Sequence, residues 1–173
     1  MGKIIFYIAA SLDGCIAKKN GSVDWLKPYE NLDYGYKEFY NNIGTLIMGS
    51  KTFEKELEFG EWLHGSKKTF VITKRKFDKI PHAGIEFYSG DLKQLVKNIK
   101  ADSKKDVWLV GGAKPAASFL NEGLVDEIML FVVPVILKEG IQLFSNIANE
   151  PKLKPLESVP YSSGIVKLHY ILR

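Results

Sequence analysis

The chain has 173 residues, the length of one domain, with 46% hydrophobic and 25% charged residues and a formal charge of +4, an ordinary balance for a water-soluble fold. Its apolar runs, the first being Ile4 to Ala10, are too short to span a bilayer, and no small-residue cleavage site follows that run, so neither a membrane span nor a signal peptide is expected. One cysteine, Cys15, excludes an internal disulfide, and two arginines, Arg75 and Arg173, are few for a nucleic-acid partner, which favours forked guanidinium contacts; a cytoplasmic protein without membrane or nucleic-acid partners is expected.

Taken along the chain, Lys3 to Ala10 is expected as a strand and Asp33 to Asn42 as a helix. Thr45 to Met48 reads as a second strand, followed by a helix starting near Lys51. Thr69 to Thr73 and Ile85 to Tyr88 are short apolar strands, and Asp91 caps a helix whose Leu92, Leu95, Val96 and Ile99 share one face. Asp106 to Val110 is a strand, Pro115 to Asn121 a helix stopping near Gly123, and Glu127 to Leu137 a strand. Leu153 to Val159 and Ile165 to Leu172 flank the turn-rich segment 160–164 as an antiparallel hairpin. Strands that are apolar on consecutive positions and alternate with helices predict an α/β fold over residues 1–173. Its central sheet is mixed but mostly parallel, with helices on both faces and the hairpin at one edge.

Three strand ends carry groups suited to phosphate. Gly111-Gly112, followed by Ala113 and Lys114, joins a strand to a helix whose N-terminus presents free N–H groups. Gly49 with Ser50, Lys51 and Thr52 does the same after the second strand, and Thr73, Lys74 and Arg75 end the third. Each has an everyday structural explanation, as turn, helix cap or solvated loop. Together they match a dinucleotide, which brings a pyrophosphate and in some forms a ribose phosphate. Cys15 reads as a small core residue, and His64, His82 and His169 are too scattered to predict a metal site.

These segments resemble the dihydrofolate reductase superfamily in a consistent order. They are Ala9 to Ala17 with its Leu12-Asp13-Gly14 turn, Val23-Asp24-Trp25, Met48 to Glu54, Val71 to Arg75, Val110 to Ala113 and Leu124 to Ile128. The chain is most similar to the small bacterial branch related to the reductase domain of the riboflavin-biosynthesis deaminase-reductases. The resemblance implies a three-layer fold and an NADPH-dependent reductase of a pyrimidine or pterin-like compound, of the 5-amino-6-(5-phosphoribosylamino)uracil reductase type. It implies cofactor contacts at Gly49, Ser50, Lys51, Thr52, Thr73, Lys74, Arg75, Gly111, Gly112, Ala113 and Lys114, with Ala10, Ile16 and Ala17 bordering the nicotinamide. Ala9, Asp13, Trp25 and Asp33 fall on the substrate side, and a homodimer is implied.

Hydride transfer asks the protein for position, dryness and a proton source. By the same resemblance Asp33 takes the place of the substrate-binding acid and is the expected catalytic residue. An aspartate at that point also serves as a helix cap, and Glu30 lies one turn away. Ser50 stands where many relatives have arginine, which leaves the preference for NADPH over NADH open. Dihydrofolate reduction and nucleotide binding without turnover are the alternative functions.

Overall fold

The computed structural model describes residues 2–58, 60–77, 80 and 82–173. Its centre is β1 (Ile4–Ser11), whose residues are buried or half-buried along its whole length, as expected for a strand covered on both faces. Beside it lie β6 (Asp106–Gly111) and β7 (Glu127–Val133), both parallel to it. β3 (Ile43–Gly49), β4 (Lys68–Ile72) and β5 (Ile85–Tyr88) continue the parallel array beyond β6. The hairpin of β9 (Leu153–Pro160) and β10 (Val166–Leu172) adds antiparallel strands at the far edge, giving the order β5-β4-β3-β6-β1-β7-β10-β9. The mixed, mostly parallel sheet with a C-terminal hairpin is the one expected.

The two-residue period of the strands sorts their side chains between two helical layers. Ile4, Phe6, Ile47, Val107 and Leu109 belong to one core cluster with α3 (Leu92–Asp102) and α4 (Ala113–Asn121). Their chain neighbours Ile5, Leu46, Met48 and Trp108 belong to the other, with Phe39 of α1 (Tyr36–Asn42) and Phe53 of α2 (Ser50–Leu57). Full burial of an aliphatic or aromatic side chain contributes about 1.5–3 kcal/mol, so these alternating positions set both the register and the face of each strand.

Four local features depart from the expectation. The strand predicted to reach Leu137 stops at Val133, because Pro134 has no N–H for the ladder, and Val135 turns back with its N–H on the Val133 carbonyl at 2.7 Å. The first long helix starts at Tyr36 rather than Asp33, after Gly35 at φ 81°. Asp24–Tyr29 forms a 3-10 helix, and β2 (Cys15–Ala17) pairs with β8 (Ile141–Gln142) in a small second sheet. These last pieces are too short for any periodic signal.

Phe119 on α4 has no exposed surface and sits in the larger core cluster. Phe119→Ala is expected to lower the unfolding free energy by about 3–5 kcal/mol. Urea denaturation followed by circular dichroism measures this as a lower midpoint with an unchanged slope.

Candidate functional site

Since β4, β3, β6, β1 and β7 are parallel neighbours, their carboxyl ends share one edge of the sheet. Gly49 pairs with Ile72 and Met48 with Gly111, so three of the predicted phosphate-competent junctions stand side by side. From β3 the chain passes into α2, which packs on one face, and from β6 into α4, which packs on the other. In open α/β sheets such a divergence at the strand ends marks the crevice where ligands usually sit.

The two helices that leave this crevice begin without side-chain caps. The N-caps are Gly49 for α2 and Gly112 for α4, and neither helix start receives a side-chain hydrogen bond. By contrast α3, away from the crevice, carries an ordinary cap in which the Asp91 carboxylate accepts the Gln94 N–H at 2.7 Å. Ser50 is thus the first helical residue and not a cap. The unsatisfied N–H groups of both first turns, and the positive ends of both dipoles, are available to an anion.

Glycine is required here by contact. A Cβ on Gly49 would stand 2.8 Å from Pro115 Cγ, and one on Gly112 would stand 3.2 Å from Pro115 and 3.3 Å from Thr52 Oγ1. Gly111 and Gly112 also have φ of 136° and 90°. The start of α4 is therefore seated against both the end of β3 and the start of α2. Lys51 and Lys114 are exposed at these two helix starts, and the Ala113 side chain is buried.

At the third junction Thr73 donates its N–H to the Tyr88 carbonyl at 2.8 Å, and its hydroxyl accepts the Arg75 N–H at 3.0 Å. Arg75 does not extend outward. Its guanidinium grips Glu54 of α2 with both fork nitrogens, at 2.9 and 2.6 Å, and holds that carboxyl below its ordinary pKa. Lys74 and Lys76 stay exposed.

Next to the crevice, on the α1 side of β1 and β7, lies a cavity of about 720 Å³. Tyr7 and Ala9 of β1 and Phe131 and Val133 of β7 form its floor, and Tyr36, Lys37 and Asp33 face them from the segment around the start of α1. Tyr7 stacks on Phe39 at 4.3 Å between ring centroids and tilts against Phe131 at 4.7 Å. Burial raises the Tyr7 pKa, and burial with Tyr40 and Glu56 nearby pushes Tyr36 up to about 12, so both hydroxyls stay protonated. Asp33 lines this cavity. Its Oδ1 accepts the Lys37 N–H at 3.1 Å, and its carbonyl accepts that of Tyr36 at 2.8 Å, so it braces the turn into α1 while standing at the cavity rim. Glu30 lines the same rim.

The remaining expected residues are distributed differently. Ala9 faces the cavity, whereas Ala10 points to the opposite core at 2% exposure, where Ile16 also packs; Ala17 is buried. Trp25 is buried in the cluster that holds Phe131, Val133 and Ile165 and does not line the cavity. The Asp13 carboxylate accepts the Leu137 and Lys138 N–H groups at 3.1 and 2.8 Å and the Ser11 hydroxyl at 2.6 Å. Asp13 thus latches the loop after β7 to the end of β1. Sequence reasoning missed Tyr7, Tyr36 and Phe131. The signal available for Tyr7 was its two-residue spacing from Ala9 on one strand face.

Comparison with known proteins agrees with the resemblance read from the sequence motifs. Residues 58–167 match the family profile of the RibD C-terminal domain. The chain is 34% identical to the uncharacterized protein YwjB of Bacillus subtilis, covering 98% of this chain and 97% of that one. The fold superposes with a TM-score of 0.87 on a provisionally named riboflavin biosynthesis protein from Shewanella sp. PV-4, at 26% identity and with 100% and 99% coverage. A diaminohydroxyphosphoribosylaminopyrimidine deaminase/5-amino-6-(5-phosphoribosylamino)uracil reductase from Thermotoga maritima shares the fold. There the TM-score is 0.72 at 17% identity, covering 99% of this chain and 57% of that one.

The Asp13 latch makes a pH prediction. The hydrogen bonds from Ser11, Leu137 and Lys138 lower the Asp13 pKa from its ordinary 3.8. A carboxyl depressed in the folded state adds stability that is complete above its unfolded pKa and is lost as pH falls through the folded one. The melting-temperature difference between wild type and Asp13→Asn is therefore expected to be full at pH 7, to shrink below about pH 3.9, and to vanish below the depressed value. Thermal unfolding across pH 2–7 checks it.

Proposed function

Because the chain belongs to the RibD C-terminal domain family, we propose that it is an NADPH-dependent reductase of a pyrimidine or pterin-like compound. What is carried over from the reductase for which the Thermotoga maritima relative is named is the type of reaction. The observation that supports this reading is the pair of uncapped helix starts seated on Gly49 and Gly112, beside a cavity walled by aromatic rings.

The residues present fit a dinucleotide phosphate. The α4 start, from Gly111 to Lys114, suits the pyrophosphate, since it is a helix N-terminus with no side-chain cap, preceded by two glycines at positive φ and followed by the exposed Lys114. The α2 start from Ser50 to Thr52 offers N–H groups and the exposed Lys51, and Lys74 and Lys76 stand ready for the ribose phosphate. When bound, the cofactor supplies a hydride for an electron-poor carbon of the substrate.

The chain's own residues hold the acceptor and handle the proton. Ala9, with its small side chain, leaves room on the cavity floor for a ring, and Tyr7, Tyr36 and Phe131 give it apolar walls. Asp33 is the acid placed to anchor the ring or to relay a proton to the atom that gains the electron pair.

Gly112→Val is expected to weaken NADPH binding at least tenfold, about 1.4 kcal/mol, with an unchanged far-UV spectrum; quenching of tryptophan fluorescence measures it. Lys114→Ala, a milder change, is expected to weaken binding severalfold. Unchanged affinity in both folded variants overturns the phosphate cradle. Asp33→Asn is expected to lower the rate of NADPH oxidation at least tenfold while NADPH affinity changes less than twofold. The assay compares 5-amino-6-(5-phosphoribosylamino)uracil, dihydrofolate and no acceptor. Turnover with dihydrofolate alone moves the activity to folate reduction, and cofactor binding without any turnover leaves a nucleotide-binding protein.

A further inference from the structure

The hairpin of β9 and β10 has two unlike faces. On the face shared with α1 and α2, Lys167 pairs with Glu157 at 2.6 Å, and His169 and Lys3 meet the buried Glu127 at 2.9 and 2.7 Å, so its charged groups are partnered. The register sets Val166 opposite Val132, Leu168 opposite Leu130 and Tyr170 opposite Ile128, which places these three on the other face, that of α3 and α4. Leu153, opposite Leu172, continues the strip, and Pro155, Ser158 and Pro160 complete it without adding a formal charge.

The fold leaves this strip uncovered. Val166, Leu168 and Tyr170 are only half-buried and belong to none of the core clusters among the described residues, and Leu153 is 42% exposed. The total surface is large as well. A compact monomer of 19.5 kDa exposes about 8,500 Å² by surface-to-mass scaling. This chain exposes 10031 Å², about 1,500 Å² more, and a stable interface takes about 800 Å² from each partner.

The occupant that fits the strip is a second copy of this chain. A two-fold contact brings the same patch against itself, and a patch without formal charge meets no repulsion there. A charged partner would find no group of opposite sign on it. Strand addition at the edge is disfavoured, because Pro155 and Pro160 lack N–H donors and Lys154 adds a charge, so the copies meet face to face.

We infer that the chain forms a two-fold dimer through the face of its C-terminal hairpin on the α3 and α4 side, and that this contact braces one wall of the cavity from behind. The link is the turn between β9 and β10. Ile165, next to Val166, lines the cavity together with Tyr34. The Tyr161 hydroxyl donates to the Tyr34 carbonyl at 3.1 Å, and the Tyr34 hydroxyl donates to Ser163 at 3.0 Å. Neither part depends on the reductase reading.

The test is sedimentation equilibrium of the full chain over a range of micromolar concentrations, with hydrogen–deuterium exchange on the same samples. A mass of twice 19.5 kDa is expected for the wild type. Leu168→Lys is expected to weaken the dimer about a hundredfold and the milder Leu153→Lys about tenfold, both with unchanged far-UV spectra. Lys167→Ala, on the opposite face, is expected to leave it intact. In either leucine variant, diluted to the monomer, the amides of residues 161–166 are expected to exchange about tenfold faster than in the wild-type dimer. A wild type that stays monomeric, or assembles beyond two copies, overturns the two-fold contact and leaves the face to another occupant. A dimer that persists undiminished in both folded variants overturns the assignment of the face. Equal exchange in monomer and dimer overturns the brace on the cavity.

Discussion

The structure depends on the seam where β6 returns to lie between β1 and β3. A strand inserted there late in the chain must be apolar on both sides, and Val107, Trp108 and Leu109 are all buried at 9% exposure or less. It must also send its following helix to the face that α2 does not occupy. The seating of Pro115 against Gly49 and Gly112 allows α4 to begin directly at the sheet edge, so that Ala116 and Phe119 one turn further reach full burial. A Cβ at either glycine would press on Pro115, so its absence is what lets α4 begin this close to the sheet edge. The same close seating puts two helix starts without side-chain caps at one sheet edge.

Charge is divided across that seam. The bidentate Arg75–Glu54 pair ties the turn after β4 to α2, and its value is geometric, because an exposed ion pair adds little stability. Across β1 the surroundings change from lysines and helix N-termini to carboxylates and aromatic faces, within the width of a few strands. One ligand that reaches from crevice to cavity would place its anionic part and its ring in media suited to each.

The crevice side was legible in the sequence because each of its parts is local. Gly111-Gly112 follows an apolar run, Ser50 to Thr52 follows another, and a strand, a tight turn and a helix start can be read within a dozen residues. Parallel order then brings the pieces together without further information. The cavity side resisted because its walls come from segments far apart in the chain, Tyr7 and Ala9 on β1, Asp33 and Tyr36 before and in α1, and Phe131 and Val133 on β7. Local patterns cannot show that Asp13, in a Leu-Asp-Gly turn, spends its carboxylate on the N–H groups of residues 137 and 138. Nor can they show that Ala9 and Ala10 part to opposite faces of β1 until the strand's register is known.

The arginine question raised by Ser50 has a structural answer. Ser50 opens α2 with a short side chain, and the one arginine near it, Arg75, is turned onto Glu54. In the proposed reductase, phosphate contacts near the adenosine end would fall to the exposed Lys51, Lys74 and Lys76, point charges without the planar fork that matches a phosphate's oxygens. Selectivity for the phosphorylated cofactor built on such charges is Coulombic in origin and weakens as ionic strength rises, since exposed charges are screened over about 8 Å at physiological salt. A forked contact would keep more of its selectivity at high salt. If the chain binds the dinucleotide as proposed, main-chain N–H groups would carry overall affinity and exposed lysines the discrimination at the ribose phosphate.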